Sequence, residues 1–301
     1  MLMKIGIIGA GSIGLLFSYY LNEKHQVTVY TRTKRQAELI QVNGVHLIEG
    51  STTKARKVKA DPIEFWNGDE DLTIITVKQY QLPSIISLID KQLKMQGSLL
   101  FLQNGMVHLR FLSELKVSNV FLGAVQHGAV RVNEYTVSHN GNGGTRVAVY
   151  RGEETHLKGL IGSVPEGFQM ELKEDYFEML QSKLIVNAII NPLTATFQVS
   201  NGALLHNQYL NQITISLFEE IAAVLNIHNR EEQFANVLSV CKKTSENKSS
   251  MLMDIESGRD TEIDAILGYV LEEAERKQIP APLTRNYYNL IKGKELKRRR
   301  T

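Results

Sequence analysis

The stretch "KIGIIGAGSIGLLFSYYLNEKHQVTVYTRT", residues 4–33, limits the possible folds more than any other part of the chain. Residues 4–8 form a short apolar run suited to a strand buried on both faces. Gly9, Gly11 and Gly14 follow as G-x-G-x-x-G where that strand would pass into a helix. Gly9 permits the tight turn, Gly11 lets backbone approach a pyrophosphate, and Gly14 lets helix pack closely on strand. The free N–H groups and the dipole at such a helix start attract phosphate. A bare glycine motif is weak, but strand before and helix after make it a dinucleotide turn. Gly9, Ala10, Gly11, Ser12, Ile13 and Gly14 are therefore the expected cofactor contacts.

The second strand, "QVTVY", ends where the adenosine ribose of a bound dinucleotide should lie. NAD-binding folds usually place an acid there, and an arginine suits the 2′-phosphate of NADP. Residues 31–35 are Thr, Arg, Thr, Lys and Arg, with no acid. A guanidinium binds a phosphate with paired hydrogen bonds whereas a carboxylate repels it, so Arg32 points to NADP(H). Strands are also expected at 72–78 and 98–104, which would put Lys78 and Asn104 at carboxyl ends, where open α/β sheets bind ligands. A plain solvated cap is the other reading of Lys78. "VFLGAVQHGAVRV" and "TRVAVYRG" continue the strand signal, and His127, lacking an evident carboxylate or metal partner, reads as structural.

At 301 residues the chain exceeds a usual single core, and its texture changes near residue 172. Beyond that point apolar residues recur at helical spacing. The expectation is an α/β Rossmann-type domain over 1–171 and an all-α domain over 172–301, with the cleft between them a natural substrate site. A net charge of +2 offers no reason to invoke nucleic acid, and the basic end "KGKELKRRRT" reads as a solvated tail. The single cysteine, Cys241, fits a reducing cytosol and a small buried apolar role. The apolar N-terminus lacks a cleavage-site pattern, and no apolar run approaches the roughly 20 residues of a membrane span. A cytoplasmic protein without a membrane partner or a metal follows. Oligomeric state stays open, since the apolar helices can form a homodimer or remain internal.

"SKLIVNAIINPLTAT", residues 182–196, is the second unusual stretch. Lys183, Asn187 and Asn191 recur at steps of four, and four helical residues turn through roughly 400°, so the three form one polar stripe. One reading is a proline-kinked helix whose amides satisfy backbone groups freed by Pro192, which would also end the stripe. The other is a stripe facing a wet cleft, with Lys183 as proton donor and the amides orienting substrate. Partial desolvation would lower the ammonium pKa and make it a better acid near neutrality. A further cluster lies in "ENKSSMLMDIESGRDTEID". There Ser249 and Ser250 suit helix caps, and Thr261 with Asp264 suits a capping box in which Glu262 favours the helix dipole.

Together "IGAGSIG", "QNGM", "SKLIVNAIINPLTA" and "NKSSMLMDIESGRDTEID" resemble the ketopantoate reductases, across essentially the whole chain and in the same order. The resemblance implies a 6-phosphogluconate-dehydrogenase-like helical domain and NADPH-dependent reduction of 2-dehydropantoate on the route to pantothenate. It makes Lys183 the proton donor, Glu262 a carboxylate supporting substrate binding and catalysis and a cofactor contact, and Asn187, Asn191, Asn247 and Ser250 substrate contacts. Asn104 falls near both nicotinamide and substrate, and Arg32 and Lys78 favour NADP. "QSKL" departs from the more aromatic and basic lead-in of some relatives, which leaves the substrate side chain open. Two rival readings remain, a paralogue reducing another 2-oxo acid and a non-catalytic NADP sensor.

Overall fold

The computed structural model describes residues 2–92 and 97–298. Arg299, Arg300 and Thr301, the end of the basic tail, lie outside the described residues. The chain forms two compact units, Met1–Gln103 with His108–Met179, and Asn104–Val107 with Leu180–Thr301.

The first unit contains β1 (Lys4–Ile8), β2 (Gln26–Thr31), β3 (Val45–Glu49), β4 (Thr52–Arg56), β5 (Lys59–Pro62), β6 (Leu72–Ile75), β7 (Ser98–Phe101), β8 (Asn119–Val125), β9 (Gly128–Arg131), β10 (Thr136–Gly141), β11 (Thr145–Arg151) and β12 (Met170–Lys173). Eight of them make one sheet in the order β12-β11-β8-β7-β6-β1-β2-β5. Its pairings are parallel except β8 with β11. From β1 the chain winds outward through β2 to β5, then crosses to β6 on the other side of β1. The strand order reverses there, and that switch point is where doubly wound sheets bind their ligands. Ile5, Ile7, Leu72, Ile74, Leu100 and Phe121 are fully buried, as expected of strands covered on both faces.

A second sheet, β4-β3-β10-β9, was not foreseen as a separate layer, although β9 falls within the strand signal of "VFLGAVQHGAVRV". Its strand β4 is polar and almost wholly exposed, so it carries no alternation to detect. The helix Ser12–Leu21 contacts β1 and β2 of the large sheet and β3, β9 and β10 of the small one. Apolar neighbours on both sides explain why Leu15, Leu16, Phe17, Tyr19, Tyr20 and Leu21 are all buried, with no polar face. His127 bonds His139 and stacks on Phe168, ring centroids 4.6 Å apart. It is a core group, in keeping with its structural reading.

Apart from the Asn104–Val107 segment and the connecting turns, the described residues of the second unit form helices. Its main helices are Tyr176–Phe197, which enters the unit at Leu180, then Gln208–Leu225, Arg230–Lys243, Ser250–Glu256, Tyr269–Lys277 and Pro282–Arg298. Asn207 caps the second of these by accepting from the amides of Tyr209 and Leu210. Glu220 receives the amides of Leu283 and Thr284 at the start of the last, where Pro282 needs no donor of its own. Cys241 is a buried free thiol whose pKa burial raises to about 11, which keeps it a packing group. No helix among the described residues is long and apolar enough to cross a membrane.

Candidate active site

In the first unit the glycine turn leaves the end of β1 and opens the helix Ser12–Leu21. Its glycines divide by cause. Gly9 has φ +110°, and a Cβ at Gly14 would lie 1.8 Å from the Gly9 carbonyl oxygen, so the protein's own packing demands both. A Cβ on Gly11 would meet nothing within 4 Å, and Gly11 has an ordinary φ of −80°. The fold alone does not require glycine there, whereas a ligand pressed against the backbone does. The amides of Ala10 and Gly11 have no hydrogen-bond partner among the described residues, and the next, at Ser12 and Ile13, open the helix. The turn therefore fits a dinucleotide pyrophosphate.

Arg32 is exposed just past β2 and makes no ion pair among the described residues, while Lys34 pairs with Glu38. Strand β6 stops at Ile75 rather than running to 78, and β7 stops at Phe101 rather than 104. Lys78 and Asn104 thus stand in loops, three residues past their strands. Gln103, whose amide donates to the carbonyls of Ile75 and Val77, fastens the segment past β7 to the loop that carries Lys78.

In the second unit the helix Tyr176–Phe197 continues past Pro192 to Phe197, so the proline does not end it. Proline removes one backbone donor. The hydroxyl of Thr194 meets the carbonyls of Ile190 (2.7 Å) and Asn191 (3.2 Å) beside it. Helical geometry persists from Lys183 to Asn191, so the stripe shares one face. Asn191 is 6% exposed, yet its amide has no partner among the described residues and is not sealed from solvent. Asn187 is half-buried and equally unpartnered. The amides make no hydrogen bond among the described residues to the Ala188 carbonyl, which Pro192 leaves without its helical donor, contrary to the kinked-helix reading.

Lys183 is half-buried, with enough protein around its ammonium for burial to lower the pKa to about 8, while the negative charge of Glu262 acts to raise it. Glu262 lies in the same unit and is held by Asn104, whose Nδ2 donates to Oε2 at 2.7 Å. Gly105, at φ +78°, makes that approach possible, because a Cβ there would lie 2.0 Å from the Ala265 carbonyl oxygen. The chain past Glu262 forms a π-turn, Asp264–Gly268, and such turns are frequent at functional sites. The expected Thr261–Asp264 capping box does not form. Thr261 donates to Glu295, and Asp264 accepts from Tyr288 and Lys292. Partners on the last helix, a carboxylate for Thr261 and a phenol and an ammonium for Asp264, replace the capping box.

The serine cluster joins the same assembly. Ser249 caps Ser250–Glu256, and its hydroxyl lies 2.7 Å from that of Thr194, tying the cluster to the lysine helix. Ser250 and Asn247 are exposed beside it. The sequence reading missed Asn201, whose amide N–H donates to the Asn247 carbonyl at 3.0 Å and whose buried Oδ1 lacks a partner. No distinctive signal marked it, since "SNGA" is one of six Asn-Gly steps in the chain.

A pyrophosphate-fit turn in one unit and a desolvated lysine in the other are parts that a nicotinamide-dependent oxidoreductase uses. Comparison with known proteins narrows the class. The family models "Ketopantoate reductase PanE/ApbA" and "Ketopantoate reductase PanE/ApbA C terminal" match residues 5–152 and 175–295. A 2-dehydropantoate 2-reductase of Bacillus subtilis is 41% identical over 97% of this chain and 98% of its own. The crystal structure of a probable 2-dehydropantoate 2-reductase from Bacillus subtilis superposes with a TM-score of 0.88 at 40% identity, covering 97% of this chain and 99% of that one. D-mandelate dehydrogenase, solved with NADH and anilino(oxo)acetate, shares the fold at TM-score 0.88 and 22% identity, over 99% and 100% of the two chains. The chain belongs to the ketopantoate reductase family.

Proposed function

We propose that the protein reduces 2-dehydropantoate to pantoate with NADPH in the cytoplasm, Lys183 giving the proton to the ketone oxygen. The observation that carries the reading is the Lys183 ammonium, held near pKa 8 by burial and opposed by the Glu262 carboxylate. The overall change adds two electrons and two hydrogens to the C=O bond of a 2-oxo acid, giving a 2-hydroxy acid. The dinucleotide, cradled by Gly9 to Gly14 with Arg32 toward its 2′-phosphate, supplies the hydride when bound. Everything else belongs to the chain's own groups. Negative charge grows on the ketone oxygen as hydride arrives, and a nearby ammonium stabilises it more in the transition state than in the ketone. A pKa close to working pH leaves the ammonium charged yet ready to release its proton. Glu262, fixed by Asn104, keeps the lysine protonated by its charge and offers an acceptor to substrate. Asn187, Asn191, Asn247 and Ser250 present polar groups suited to a carboxylate and a hydroxyl.

Loss of NADPH absorbance on adding 2-dehydropantoate, beside a panel of simpler 2-oxo acids, tests the assignment. The expected result is the highest kcat/KM with 2-dehydropantoate and with NADPH over NADH. Preference for another oxo acid refutes the substrate, and no turnover with any refutes the enzyme reading.

A further inference from the structure

Two side chains outside the glycine motif hold its carbonyls from behind. Gln36, buried in the first turn of the helix Lys34–Asn43, donates from Nε2 to the carbonyl of Ala10 at 3.0 Å. The same NH2 group donates to the carbonyl of Glu134 at 2.9 Å, so both its protons are used and its position is fixed. Thr76, just past β6, donates from Oγ1 to the carbonyl of Gly9 at 2.9 Å and lies 3.1 Å from that of Ile8.

These contacts set the direction of the opposite groups. In a planar trans peptide, C=O and the next N–H point opposite ways, so fixing one fixes the other. The Gly9 carbonyl shares its peptide with the Ala10 N–H, and the Ala10 carbonyl shares its peptide with the Gly11 N–H. Those two amides lack partners among the described residues, and they adjoin the space left open at Gly11. A glycine-rich segment is soft and loses much freedom on ordering, so two anchored carbonyls hold its donors in place before an anion arrives.

We propose that Gln36 and Thr76 are positioning residues that aim the Gly11 and Ala10 amides at the dinucleotide pyrophosphate. The inference rests on the dinucleotide reading of the turn. It adds that binding strength there is set by Gln36 in the second helix and Thr76 after β6, neither of which belongs to the glycine motif.

The test is equilibrium binding by the purified full chain. NADPH is compared with adenosine 2′-monophosphate, which keeps the 2′-phosphate and lacks the pyrophosphate. Gln36→Met and Thr76→Val keep approximate shape and remove the donors, and Thr76→Ser restores one. Each donor loss should weaken NADPH about tenfold, the effect of one net hydrogen bond. Binding of adenosine 2′-monophosphate should stay within about twofold, and Thr76→Ser should recover NADPH binding. Equal weakening of both ligands, or no change in either, overturns the proposal. Wild-type protein that fails to bind NADPH overturns the dinucleotide reading itself, and the inference with it.

Discussion

The glycine turn and the lysine helix manage charge by opposite means. The turn offers neutral amide dipoles, shaped by glycines that packing demands at 9 and 14 and by an empty space at 11. The helix offers one ion, Lys183, stripped of water until its pKa falls to about 8. Backbone dipoles do not titrate, and no side-chain truncation removes them, so a site built on them tolerates pH and fails through shape. A buried ammonium fails through its own charge. Substitutions should therefore separate the two regions by which quantity moves.

The largest effect belongs to the ion. Lys183→Ala should lower turnover by about 10²–10⁴-fold, the usual loss for a general acid, with NADPH affinity in a direct titration nearly unchanged. Within the turn, Gly14→Ala must push a methyl group against the Gly9 carbonyl and should lose about 1–3 kcal/mol of stability in a denaturant melt. Gly11→Ala meets no protein atom and should melt like wild type, yet weaken NADPH about tenfold by standing in ligand space. A weaker melt with intact binding would reverse the roles given to these two glycines. Arg32→Ala should narrow the NADPH-over-NADH preference by about tenfold in kcat/KM, as one lost charge-assisted bond would.

Legibility in the sequence differed between the same two regions, for a physical reason. The turn was readable because strand, glycines and helix are consecutive, and local geometry dictates each residue. Gln36 was not, since it meets Ala10 and Glu134 only after the chain has folded. The stripe of Lys183, Asn187 and Asn191 showed through helical spacing, but spacing alone could not separate a wet face from a kinked helix. In the folded protein neither amide has a hydrogen-bond partner among the described residues, and neither is sealed from solvent, which favours the wet face. The small sheet stayed hidden because β4 has an exposed, polar strand with no periodic signal. The Thr261–Asp264 cap misled because Glu295, Tyr288 and Lys292, distant in sequence, claim those side chains.

The pH dependence of catalysis sharpens the comparison to one group. Lys183 donates a proton during reduction, so it must be charged, and it loses that charge as pH rises through about 8. Removing the Glu262 charge takes away the influence that raises this pKa. Glu262→Gln should therefore move the midpoint to lower pH. The decisive measurement is kcat for reduction of 2-dehydropantoate from pH 6 to 10, at saturating NADPH and substrate, in wild type and Lys183→Ala. The account predicts a wild-type rate that falls tenfold per unit above about pH 8 and a residual Lys183→Ala rate without that limb. A flat wild-type profile, or the same falling limb in both proteins, would contradict Lys183 as the proton donor.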